Sequence, residues 1–211
     1  MKNLKRVIIY ICGIFTLALG GILAIKSDLG ASPVSALPLS ISRVSGLSLG
    51  TATIVLFIFY VIIQIILLRK NFKKIQLLQI VFAILFGQIM NFFNLIININ
   101  VDKFYIKIAI CLLSFFITAL GVFITITANI VPVAPDGVVQ VISLKKKIDF
   151  GKAKNYFDCI VVVLSVVLLL VNRKNLEGLG IGTVLSAILV GRIVFIINKY
   201  FKESLENVIF S

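Results

Sequence analysis

Two stretches decide how this chain folds. The first is Ser27-Asp28-Leu29-Gly30-Ala31-Ser32-Pro33-Val34-Ser35-Ala36-Leu37-Pro38-Leu39-Ser40-Ile41-Ser42. The second is Ala128-Asn129-Ile130-Val131-Pro132-Val133-Ala134-Pro135-Asp136-Gly137-Val138-Val139-Gln140-Val141-Ile142-Ser143. All 4 prolines of the protein fall inside them. They are too apolar for ordinary loops and too short and broken to cross a bilayer. In the first, Ser32 is placed to cap a helix and Pro33 to open it, since a proline at the first helical position gives up no needed N–H. In the second, Pro135 takes that part, and Asp136 in the first turn interacts favourably with the helix dipole. Each stretch therefore reads as a short helix, re-entrant or interfacial.

On either side the sequence is strongly apolar. Of 211 residues, 60% are hydrophobic and 14% charged, where soluble domains carry about 45–50% and about 25%. A globule of this size cannot bury so much apolar surface from water. Six runs approach the ~20 residues that a membrane crossing needs: Val7–Ile25, Gly50–Leu68, Ile75–Ile97, Ile106–Ala128, Asn155–Val171 and Gly178–Ile197. The uncharged run after Lys5-Arg6 is longer than a signal-peptide core of about 7–15 residues, so it is expected to be a retained helix.

The net charge of +13 reads as topology. With the N-terminus inside, the larger set of cations faces the cytoplasm: Lys2, Lys5, Arg6, the Arg69–Lys74 group, the Lys145–Lys154 group, Lys199 and Lys202. The smaller set, Lys26, Arg43, Lys103, Lys107, Arg173 and Lys174, faces out. This asymmetry predicts six crossings with both termini cytoplasmic. Making each broken stretch a full crossing would put Arg69–Lys74 outside, against the charge rule.

The two halves resemble each other. Phe15, Ala18, Leu19, Gly20, Ile25, Gly50 and Ala52 match Phe116, Ala119, Leu120, Gly121, Ile126, Gly151 and Ala153, each pair 101 positions apart. Three positions further out of register, Ala83-Ile84-Leu85, Gly87, Ile89 and Asn94 match Ala187-Ile188-Leu189, Gly191, Ile193 and Asn198. Three crossings per half is an odd number, so the second half enters from the opposite side. The expected fold is all-α: a polytopic membrane bundle over 1–211, a single membrane domain. It holds six transmembrane helices as two inverted three-helix repeats, 7–98 and 106–198, each with a short broken helix. Broken helices at matching places in inverted repeats point to a transporter site at the repeat interface. The competing reading lays each short helix on the membrane surface, with Val34, Leu37, Ile41 and Val44 as its buried stripe.

Several runs carry a family resemblance. They are Gly20-Gly21, Lys26-Ser27-Asp28-Leu29-Gly30-Ala31-Ser32-Pro33 and Leu47-Ser48-Leu49-Gly50-Thr51 in the first half. In the second they are Pro135-Asp136-Gly137-Val138-Val139-Gln140, Phe150-Gly151-Lys152 with Phe157-Asp158, and Gly182-Thr183 before Ala187–Gly191. Together they resemble the signature of YczE/YitT-like bacterial integral membrane proteins, over essentially the whole chain. The resemblance implies a small protein of the bacterial cytoplasmic membrane, in a family generally without an assigned biochemical activity. Arg192 departs from the pattern, standing where a small residue or proline follows the glycine.

Polar residues within the apolar runs are the site candidates. The substrate-binding set is Asp28, Gly30, Ser32, Pro33, Gln88, Asn129, Pro135, Asp136, Gly137 and Arg192. Asp158 and Arg192, on neighbouring crossings, form a candidate ion pair, with snorkelling of Arg192 the alternative. Asp28 can hold a cation or pair with Lys26. Gln88, with Asn91 three residues on, suits interhelical hydrogen bonding or a cavity lining. Cys12, Thr16, Gly20 and Ala24 recur every four residues, as in closely packed helices.

There are no histidines and 3 scattered cysteines, which excludes histidine catalysis and CxxC metal sites. No catalytic residue, metal or cofactor is expected, and the chain is not expected to be an enzyme. The expected function is permease-like transport of a small solute. The alternatives are a non-transporting membrane partner or regulatory protein, and the substrate-capture subunit of an ATP-driven uptake system. Expected partners are membrane lipids, a small-molecule solute, and a second copy or another membrane protein, but not nucleic acid.

Overall fold

The computed structural model describes residues 2–99, 103–176 and 178–210. Among the described residues, eight α-helices follow one another: α1 Lys2–Lys26, α2 Pro33–Ser45, α3 Leu49–Leu68, α4 Leu78–Ile96, α5 Phe104–Ala128, α6 Ala134–Lys146, α7 Phe150–Val171 and α8 Ile181–Phe210. Two short 3-10 turns, Arg69–Asn71 and Lys74–Leu77, join α3 to α4. Six of the helices, all but α2 and α6, are long and apolar enough to cross a membrane. The fold is therefore all-α and of multi-pass membrane type.

The expected crossings correspond to these helices, but α1 starts earlier, at Lys2, α7 starts earlier, at Phe150, and α8 ends much later. The sixth run was expected to end at Ile197, but α8 continues to Phe210. At about 1.5 Å per residue it is about 45 Å long, more than the ~30 Å of bilayer hydrocarbon. Its last turns carry Lys199, Lys202, Glu203 and Glu206, with Lys202 and Glu206 paired one turn apart. Helix propensity and this pairing carry the helix past the apolar run.

Residues 101 positions apart occupy matching places. Helices α2 and α6 start at Pro33 and Ala134 and end at Ser45 and Lys146. Ser42 Oγ donates to Leu47 O at 2.7 Å, and Ser143 Oγ to Ile148 O at 2.8 Å. The next helix is capped by Ser48, which accepts from Thr51 N. Its counterpart α7 is capped by Asp149, which accepts from Gly151 N and Lys152 N. Such caps satisfy N–H groups that a helix start leaves without partners.

The helices form two compact units, and each draws on both halves of the sequence. One contains α1, α5 and α8. Here α1 and α5 pack antiparallel along small residues. Gly20 lies against the backbone and hydroxyl of Thr118, and Gly121 against Leu17, where an added Cβ would sit 2.5 Å from the Leu17 nitrogen. Gly13 meets Thr125 in the same seam. Cys12, expected in that stripe, is exposed, so the close-packed line starts one residue later. Ala119, Phe123 and Ile197 form a buried cluster covered by Leu120, Ile124, Val190, Ile193, Val194 and Leu205. The strand-like segment after α1 docks on the approach to α8: Gly182 N donates to Leu29 O at 2.8 Å and Ala31 N to Gly178 O at 2.6 Å. Gly30 between them has φ +144° with its α-carbon facing Thr183 N, a conformation and clearance only glycine meets.

The other unit contains α2, α3, most of α4, α6 and α7. Both short helices pack against both α3 and α7. In α2 the buried face is Ser35, Ala36, Pro38, Leu39 and Ser40, whereas Val34, Leu37, Ile41 and Val44 are only half-buried. The apolar stripe is thus the less buried side of α2. Small residues face protein because lipid gives no hydrophobic advantage to burying the large ones. Gly50 abuts the carbonyl of Gly87, and Asn91 Oδ1 accepts from Gly50 N at 2.7 Å. Phe57 and Phe86 stack at 5.5 Å beside this close approach of α3 and α4.

Candidate functional site

The first turn of α6 brings Asp136 to the beginning of α7. Val133 precedes the helix without a side-chain cap, and Pro135 occupies its first turn, so the acidic side chain at Asp136 is the anion that complements the helix N-terminus. On α7, Lys154 and Asp158 are one turn apart and share a face. Lys154 Nζ stands 3.1 Å from Asp136 Oδ1 and 2.9 Å from Asp158 Oδ1. Asp158 is buried, with 8% of its surface exposed. The three atoms are enclosed, and none has a partner with hydrogen-bond geometry. The group is held by charge.

Aromatic rings lie beside the cluster, and an amide pair holds the start of α6. Lys154 Nζ lies 5.8 Å from the centre of the Phe157 ring, within cation–π range. Tyr60 of α3 meets Phe157 edge-on at 5.5 Å. One turn along α3, Gln64 and Gln79 exchange reciprocal amide hydrogen bonds of 2.9 and 3.0 Å, both fully buried. Gln64 Nε2 also donates to Ala134 O at 3.2 Å. Gly137 fits here because a Cβ would sit 2.6 Å from the Gln64 amide oxygen. The amide pair thus fixes the start of α6, and the start of α6 places Asp136. Two carboxylates share one ammonium in an enclosed place, a costly arrangement unless paired or solvated. The corresponding positions of the first half, Ser35, Thr53 and Phe57, carry no charge, so the cluster belongs to the second half alone.

Of the expected site residues, the structure gathers Pro135, Asp136 and Gly137 with Asp158. Pro33 opens α2, and Ser32, directly before it, is buried. Asp28, Gly30, Asn129 and Arg192 lie in the unit of α1, α5 and α8. Asp28, exposed and with φ 59°, pairs with Lys107 at 2.7 Å rather than Lys26. Asn129, left-handed, ends α5, and its carbonyl accepts from the Arg6 guanidinium at 2.6 Å. Gln88 is exposed on α4, while Asn91 caps the start of α3. Asp158, expected to face Arg192, takes Lys154 as its cation, and Arg192 is exposed on α8. A lysine on the same helix face needs no tertiary arrangement to reach it.

Lys154, Tyr60, Gln64 and Gln79 were not among the expected site residues. Lys154 read as one more basic residue of an inner loop, although its i,i+4 spacing to Asp158 was a usable signal. Gln64 stood alone in the apolar run Gly50–Leu68, which marks an intramembrane amide.

Residues 4–199 match the model of a family of unknown function, DUF6198, and the chain belongs to that family. No curated protein and no solved structure matches it.

Proposed function

We propose that the chain is a permease-like carrier of a small solute in the bacterial cytoplasmic membrane, with both termini inside. The observation that carries this reading is the Asp136–Lys154–Asp158 cluster, enclosed within the length of the apolar span α7. Ionisable side chains inside a membrane are expensive and mark solute or ion pathways. Here one of them comes from the first turn of a short helix, the element that shapes binding sites in carriers built from broken helices.

The reading includes two inverted three-helix repeats. Matching helix bounds and caps support it, as does the antiparallel course of α1 and α5, which occupy equivalent places in the two halves. The buried small-residue face of α2 favours a re-entrant over a surface-lying helix. The likeness to YczE/YitT-like proteins rests on the motif residues alone and favours the same localisation.

The test is uptake into liposomes holding only this purified chain, measured across a panel of radiolabelled small solutes. Saturable uptake of at least one, lost in Asp136→Asn, is expected. Folded protein that moves none of them would contradict the carrier. Tight binding with uptake restored only by an ATPase partner would replace it with a capture subunit. No binding at all would leave the membrane-partner reading.

A further inference from the structure

We infer that the Asp136–Asp158 pair is a binding site for a small primary ammonium compound, and that Lys154 is a tethered occupant which the solute displaces. The solute class rests on the carrier reading above. Lys154 is itself a primary alkylammonium, set between two carboxylate oxygens at 3.1 and 2.9 Å and 5.8 Å from an aromatic ring centre. Carboxylate plus aromatic face is the chemistry that recognises ammonium groups.

The contacts are also unfinished. Asp136 Oδ1, Lys154 Nζ and Asp158 Oδ1 are enclosed without hydrogen-bond geometry to any partner. An ammonium free to choose its position can orient its N–H groups at both oxygens. Lys154 reaches one carboxylate on its own helix and the other on α6, and the backbone limits its approach. Such a cation is poorly seated and replaceable. Displacing it leaves the ammonium of Lys154 to seek water or headgroups, which a long flexible stem allows. With Lys154 withdrawn, the pair carries two negative charges, so a monovalent cation restores the present balance. Exchange of one ammonium for another conserves the charge of the site, which suits a step that must run in both directions. A primary ammonium carries three N–H donors for the two carboxylates and a quaternary one carries none, which favours a small primary amine.

The inference predicts opposite signs for neighbouring substitutions. Asp158→Asn and Asp136→Asn remove ligands and weaken binding. Lys154→Gln removes the competitor and strengthens it. A purely structural ion cluster would lose binding in all three.

The test is equilibrium binding of radiolabelled methylammonium to the purified full chain in nanodiscs, with folding checked by size-exclusion and thermal melting. Saturable binding is expected, weakened by about tenfold or more in Asp158→Asn and tightened by about tenfold in Lys154→Gln, as the loss of one charged partner or competitor implies. If Lys154→Gln does not fold, Asp136→Asn/Lys154→Gln serves, and it should bind more tightly than Asp136→Asn alone. Competition by ethylammonium but not by tetramethylammonium or sodium is expected. No saturable binding to folded wild type, weaker binding when Lys154 is replaced, or competition by sodium and not ethylammonium would overturn the inference. Methylammonium binding without uptake into liposomes would keep the site and remove the carrier. Uptake of other solutes without methylammonium binding would keep the carrier and remove the site.

Discussion

Lys107 Nζ lies 2.7 Å from Asp28 Oδ2, joining the first turn of α5 to the turn that follows α1. Its counterpart is at the other end of the same helix pair, where Arg6 in the first turns of α1 binds the carbonyl of Asn129 at the end of α5. Arg6 and Lys107, like Asp28 and Asn129, are 101 positions apart. A cation at each helix C-terminus opposes the negative end of its dipole. Asp28 is more than half exposed, and exposed pairs contribute at most about 1 kcal/mol. Lys107→Ala should therefore leave the melting temperature in detergent almost unchanged. A loss of several degrees would mean that this clasp, and not the seam of small residues, holds α1 to α5.

That seam should be where the stability lies. Gly20 has no room for a methyl group against Thr118, nor Gly121 against Leu17. Gly20→Val and Gly121→Val should each cost about 1–3 kcal/mol or more, the usual range for overpacking. Because the backbone itself is the obstacle, relief by side-chain movement is limited. Thermal melting of purified protein measures this. Gly191→Ala, where nothing lies within 4 Å, is the control and should be neutral or slightly stabilising.

The Gln64–Gln79 pair offers a cleaner energy. Replacing one partner by leucine strands the other amide in a buried place, which costs about 1–3 kcal/mol. Replacing both removes the polar groups together, so the double variant should be less damaged than the sum of the singles. A double-mutant cycle on chemical or thermal unfolding gives the coupling. Additive losses would show that the two amides do not depend on each other. Because Gln64 also holds Ala134 O, both single variants should shift the start of α6 and weaken whatever Asp136 binds.

Much of this architecture is legible in the sequence, for a physical reason. Lipid selects long uninterrupted apolar runs, so the helices are visible as lengths, and Pro33 and Pro135 mark the short ones. Pairing is less legible. Apolar spacing in α2 marks a water-averse face without saying whether lipid or protein covers it, and only the fold shows Ser35, Ala36, Leu39 and Ser40 turned inward. Gly13, Gly20 and Gly121 mark the true interface. Asp158 has Lys154 one turn away on its own helix, a spacing readable in the sequence. Gln64 needs Gln79 and the start of α6 to acquire meaning, and these meet only in the folded chain.

Labelling of single cysteines tests most directly whether the two halves enter the bilayer from opposite sides. With Cys12, Cys111 and Cys159 replaced by serine, cysteines at Lys70 and at Lys146 are challenged with a membrane-impermeant maleimide in intact cells and in inverted vesicles. Both should be protected in cells and labelled in inverted vesicles, with a cysteine at Lys174 showing the reverse. Labelling of Lys70→Cys from outside intact cells would contradict the inverted duplication, and the carrier built on it.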